Sequence, residues 1–163
     1  MTLPASFPLS MSQIATELGL SLPLSINHPW VIALGGVGPT LPLSFSDLLG
    51  RSGHVNTNGT IHERSSLDYY VPLTGTPFFD ALGYYVSNLE EVGVGAYLTV
   101  SINNPGSLYT GKIKVTNVSL GYSLVLSYVG NGNWGGNTGG GAGGIGLSGR
   151  AGNTYNFTIY PSN

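Results

Sequence analysis

The chain has 163 residues, no cysteine and a formal net charge of −2. Only 7% of its residues are charged, where soluble domains carry roughly 25%. These figures exclude disulfides and thiolate metal sites, and five basic residues are too few to neutralise a run of phosphates, so nucleic acid is not an expected partner.

A hydrophobic content of 41% with 10% aromatic residues argues for a packed core rather than disorder. Scarce charge points to a surface buried in an assembly or facing outward. No basic leader precedes an apolar core, and no apolar run approaches the about 20 residues of a membrane span. Neither a signal peptide nor membrane insertion is expected.

Along the chain, Pro-Leu-Ser occurs three times, at Pro8, Pro23 and Pro42, each time ahead of an apolar stretch that stops at glycine. Proline biases the residue before it to extended geometry, and a serine can cap the turn that follows. In the first unit Ser10 and Gln13 have the spacing of a capping box, Ile14 and Leu18 share a helix face, and Gly19 is placed as the stop. In the second, Asn27 is the expected cap, Pro29 lies in the first turn and Gly35-Gly36 ends it. The third reads as one turn, Ser46-Asp47-Leu48-Leu49. Helices this short do not stand alone in water, so they pack on the rest of the chain or on another protein.

Residues 54–66, with Asn58-Gly59 as a type I′ signal, read as a hinge or exposed loop. Beyond them the alternation is strand-like. Leu98, Val100 and Ile102 share one face, Ile113 and Val115 alternate with Lys112 and Lys114, and Leu120 to Tyr128 is the longest alternating run. Tyr155, Phe157 and Ile159 follow near the C-terminus. The stretch Phe78 to Gly95 is read as strand for its tyrosines and Val86. Residues 130–153 are glycine-rich, read either as a mobile loop or as close-packed extended backbone. Trp134 within them is either an exposed contact or a pin to the sheet. The expected fold is mainly β, an antiparallel β-sandwich or jelly-roll-like domain at 67–163, preceded by short helical turns at 1–53.

Chemistry is sparse. None of the seven carboxylates forms a motif that sets a general acid opposite a base, and Glu90-Glu91, pointing to opposite faces of a strand, reads as a solvated turn. His54, His62, Glu63 and Asp68 could supply metal ligands, but their spacing fits a polar loop better. "GGVGPT" lacks the lysine of a phosphate loop and "GAGGIG" lacks a following helix. No catalytic residue, metal or cofactor is expected.

The phrases "PLSMSQIATELGL", "PLSINHPWVIALGGV" and "PLSFSDLLGRS", spanning residues 8–53, resemble short segments of tail and other structural proteins of tailed bacteriophages. Those segments carry Ile-x-x-Glu-Leu/Phe-Gly and S-x-S-D-L-x-G-x-S. The chain departs from them in Leu49 and Arg51, where a basic residue and lysine are more familiar. The resemblance implies a non-enzymatic virion component of the tail tip, baseplate or fibre, assembled in the host cytoplasm. Its N-terminal turns would dock on other virion proteins through Leu9, Ile14, Leu18, Leu24, Trp30, Leu43 and Leu48. Its β-domain, a homo-oligomer with a trimer favoured, would meet a host surface glycan or protein through Trp134, Tyr109, Tyr128 and Tyr160. A capsid decoration protein and a carbohydrate-binding module are the alternatives, and a tail-associated hydrolase is a more distant one.

Overall fold

The computed structural model describes residues 2–36, 42–78, 84–93, 96–103, 109–138 and 144–162. Two short helices come first, α1 (Met11–Glu17) and α2 (Pro29–Gly35), then a 3₁₀ turn at Phe45–Leu48. Among the described residues nine strands follow: β1 (Val55–Thr60), β2 (His62–Ser65), β3 (Asp68–Pro77), β4 (Tyr85–Val92), β5 (Tyr97–Asn103), β6 (Lys112–Asn117), β7 (Tyr122–Gly130), β8 (Asn133–Asn137) and β9 (Thr154–Ser162). They form one antiparallel sheet in the order β1-β9-β6-β7-β8-β5-β4-β3-β2. The two ends of that order, β1 and β2, are successive in the chain. Residues 55–65 pair with β9 through β1 and with β3 through β2, which brings the sheet nearly to closure as a barrel.

Closure explains why residues 55–60 and 62–65 are strands within the stretch expected to be a hinge or exposed loop. Ile61, between β1 and β2, is buried and bonded to the backbone of Gly152 and Asn153. Asn58-Gly59 is no turn; it lies inside β1, opposite Asn156 and Tyr155. Gly59 is there because the barrel closes over it: a Cβ at this position would fall on Cγ1 of Val71 and press on Leu73. The I′ signal belongs instead to Asn131-Gly132, both with positive φ, which joins β7 to β8.

The alternation expected of β5 and β6 is met, with Leu98, Val100, Ile102, Ile113 and Val115 all buried. Strand β4 lies within the stretch read as strand, and residues 79–83, 94 and 95 of that stretch fall outside the described residues. In β7 only Leu126 is fully buried; Leu124 and Tyr128 pack against the core, while Val125 and Val129 face outward with Tyr122 also exposed.

One core runs from Leu3 to Ile159, so the N-terminal turns and the strands share it. Ser10 accepts from the Gln13 amide, and the Gln13 side chain accepts from Ser10 in return, the expected capping box. Asn27 is not the cap of α2. His28 is, its Nδ1 accepting from Trp30 N at 3.2 Å, because Pro29 at the first helical position puts the residue before it in the cap conformation. The third turn starts one residue earlier than expected, with the Asp47 carboxylate accepting from the Ser44 N–H and hydroxyl, both at 2.8 Å. Gly19, Gly36 and Gly50 all take positive φ where the turns stop.

Candidate functional site

The residues expected to dock elsewhere are spent on this chain. Ile14, Leu18 and Leu48 are buried, and Leu9, Leu24, Trp30 and Leu43 pack against the same core. An apolar face seven residues long is stabilised only by burial, and the start of the barrel is the nearest surface that provides it. The indole of Trp30 lies on Gly111, where any Cβ would overlap it, and 5.1 Å from the Tyr109 ring. Ile14, Leu18 and Leu48 are therefore closed to another protein, while Leu9, Leu24, Trp30 and Leu43 keep part of their surface exposed.

Two of the four expected contact aromatics are equally internal. Trp134 is 2% exposed and Tyr109 1%. They stack at 6.2 Å, with Phe78 edge-on to both and Tyr128 at 4.9 Å from Trp134. The indole N–H of Trp134 donates to Gly111 O at 2.7 Å, and the Tyr109 hydroxyl donates to Lys112 O. Burial pushes the Tyr109 phenol far above its ordinary range. The reading of Trp134 as an exposed contact is therefore corrected: with β8 paired on both sides, its inward-facing position is a core position, and it pins the chain to the sheet. Tyr128 and Tyr160 remain half-exposed. Tyr128 borders a surface hollow of about 420 Å³ with Trp30, Thr110, Ser127 and Ser162. Tyr160 lies under the Lys114 ammonium at 5.9 Å.

The candidate metal ligands do not converge. His54 sits at the start of β1, whereas His62 stacks on Tyr70 and Asp68 pairs with Arg64 on the outer face of β2 and β3. No cluster of three or more such ligands exists among the described residues.

The fold does assemble one polar cluster that the sequence reading missed. Glu17, the last residue of α1, is buried against the segment entering β1. Its Oε1 accepts from Gly53 N at 2.8 Å and Ser52 Oγ at 3.1 Å, and lies 2.6 Å from Nδ1 of His54. The Gly53 N–H and the Ser52 hydroxyl favour the ionised form of Glu17, and an imidazole tautomer with its proton on Nδ1 adds a third donor to the same oxygen. Burial nevertheless holds the Glu17 carboxyl above its ordinary range, the Gly53 N–H working against that shift. Beside the pair is a hollow of about 300 Å³ lined by Thr16, Gly19, Asn56, Thr158 and Tyr160. Ser52 and Glu17 both approach the same ring nitrogen, so the imidazole does not stand between a hydroxyl and an acid, and the cluster is no nucleophile relay. What it does is fasten α1 to the barrel.

A second buried carboxylate, Glu91, closes the other end. It accepts from Leu147 N, Ser148 N and Ser148 Oγ, at 3.3, 3.2 and 2.5 Å. Sequence read this residue as part of a solvated turn, although Leu89 on the same face of β4 already marks that face as inward. Its partner Glu90 does point outward, where it meets Arg64 at 2.7 Å. Comparison with family models, with curated proteins and with solved structures finds no match.

Proposed function

We propose that the chain is a non-enzymatic structural component of a tailed-bacteriophage particle, built into the tail tip, baseplate or fibre, with other virion proteins and copies of itself as partners and a host surface as its target. The observation that carries this reading is the outer face of the barrel. Around β1 and β9 it consists of amides and hydroxyls tied to one another: Asn156 donates to Asn56 and Asn58, and Thr60 bonds Thr154. Such a neutral, hydrogen-bonded face suits a close-packed assembly better than a freely diffusing protein, which keeps soluble by mixed charge. The resemblance of residues 8–53 to phage tail proteins supports the same reading. With the N-terminal apolar residues turned inward, attachment passes to this outer face.

Mass spectrometry and immunogold labelling of purified particles test it. Presence at the tail end supports the proposal, labelling over the head would move the chain to the capsid decoration class, and absence from particles would overturn it. Turnover of capsular or cell-wall polysaccharide by the purified chain would overturn its non-enzymatic part.

The hollow between Trp30 and Tyr128 favours a second reading, a carbohydrate-binding module. Aromatic walls with Thr110, Ser127 and Ser162 hydroxyls suit a sugar ring. Glycan-array binding lost on Tyr128→Ala and kept on Tyr160→Ala would support it; no binding by the folded chain would remove it.

A further inference from the structure

The fold occupies three of its five basic side chains. Arg64 pairs with Asp68 and Glu90, and Arg51 and Arg150 bond carbonyls of their own loops. Lys112 and Lys114 have no carboxylate or carbonyl partner among the described residues; the Lys114 ammonium lies over the Tyr160 ring. With Ile113 and Val115 turned inward, both lysines project from the outer face of β6, their Cα atoms about 7 Å apart. The described carboxylates are spent elsewhere: Glu17 and Glu91 are buried, Asp47 bonds Ser44, and Glu63, Asp68 and Glu90 stand on β2, β3 and β4.

Of the two, Lys112 lines the hollow of about 420 Å³ beside Trp30 and Tyr128, a volume within the range of small-ligand sites. The walls come from three neighbouring strands, with Lys112 of β6 in register with Ser162 of β9 and next to Ser127 of β7, while α2 lays Trp30 across the entry to β6. Both rings are held before any ligand arrives. Trp30 rests on Gly111, 5.1 Å from Tyr109 and 5.6 Å from His28, and Tyr128 lies 4.9 Å from Trp134 with its hydroxyl accepting from Gly132 N at 3.4 Å. Fixed aromatic surfaces and the Thr110 and Ser127 hydroxyls suit a sugar ring, and the ammonium adds a demand for negative charge. A phosphate or sulfate is better served by an arginine fork or by several cations; this hollow holds one ammonium and none of Arg51, Arg64 and Arg150, which suits a single carboxylate.

We propose that this hollow takes an acidic sugar, a uronic or sialic acid unit of a surface glycan, with its ring against Trp30 and Tyr128 and its carboxylate on the Lys112 ammonium. This rests on the reading of the hollow as a sugar site and adds the charge of the sugar it selects. Lys114, on the same face but outside the hollow, raises the local positive potential without touching the ligand.

The test is a glycan array probed with the full-length chain, on which glycans bearing uronic and sialic acids are printed both as free acids and as methyl esters, beside neutral and sulfated glycans. The expected result is binding to free acids and about tenfold weaker binding to the matching esters. Lys112→Gln should bring the acids down to the level of the esters with an unchanged thermal midpoint, because the fold uses the Lys112 carbonyl and not its ammonium. Lys114→Gln should cost less than about threefold. If Lys112→Gln shifts the midpoint, the ratio of acid to ester for the wild type decides alone. Equal binding of acid and ester overturns the inference and leaves the sugar reading standing. Preference for sulfated over carboxylated glycans, or equal losses at Lys112→Gln and Lys114→Gln, overturns it as well. No binding to any glycan by the folded chain overturns both.

Discussion

At the end of the barrel where β1 and β6 begin, three capped turns and a cluster of Trp30, Phe78, Tyr109, Tyr128 and Trp134 close the core. At the other end residues 144–153 do the same work with two apolar side chains, Ile145 and Leu147, and a set of hydrogen bonds. Both ends bury a carboxylate. Glu17 is matched to a histidine and a hydroxyl from the neighbouring segment, Glu91 to two backbone N–H groups and the hydroxyl of Ser148. A glycine-rich chain can thus plug a barrel if one carboxylate and one amide organise its backbone; Asn117 supplies the amide, donating to Ile145 O.

Trp134→Ala should cost about 3–5 kcal/mol, removing the centre of the aromatic end and leaving Gly111 O without its donor, measured by chemical denaturation. Glu91→Ala should cost about 3 kcal/mol, since it strands buried N–H groups of Leu147 and Ser148, and hydrogen exchange should rise at 144–153 while the aromatic end stays protected. Uniform loss of protection at both ends would show that the plug is not a separate unit.

Gly144→Ala drives a Cβ to 2.5 Å from Oε2 of Glu91, and Gly59→Ala overlaps Val71; each should cost about 1–3 kcal/mol by overpacking. Equal stability of either variant would mean that the close approach is not tight.

Smaller still is the pH effect at Glu17. Its raised carboxyl contributes stability that is fully present below the ordinary carboxylate range and is lost as pH rises through the folded value. Relative to Glu17→Gln, the wild type should lose stability as pH rises from the ordinary carboxylate range through the raised folded value. Asp47 has the opposite sign. The Ser44 N–H holds it below its ordinary range, so its contribution exists above the unfolded pKa and disappears as pH falls through the lowered one. Asp47→Asn should lower the thermal midpoint slightly at neutral pH and not at all once the pH is below the lowered Asp47 value.

The aromatic end was legible where the information was local. Ser10 with Gln13, the glycine stops and the alternation of β5 and β6 act within a few residues, and all are found. The plug was not legible, because glycines carry no periodicity and its partners Glu91 and Asn117 are distant in sequence. Asn58-Gly59 misled for a related reason: the pair that favours a turn also permits close strand packing, and only the long-range contact with Val71 decides between them. At the polar cluster, neither Glu17 nor His54 announces the other across 37 positions, and only folding brings them to 2.6 Å.

The central claim is that the N-terminal turns belong to the core and are not a detachable anchor. Thermal unfolding of residues 54–163 alone, set beside the full chain, tests it most directly. The account predicts no cooperative transition for the fragment, because Ile14, Leu18, Val31, Leu34 and Leu48 would be missing from the end of the barrel. A cooperative transition within a few degrees of the full-length protein would contradict it, and would return residues 1–53 to the role of a docking segment.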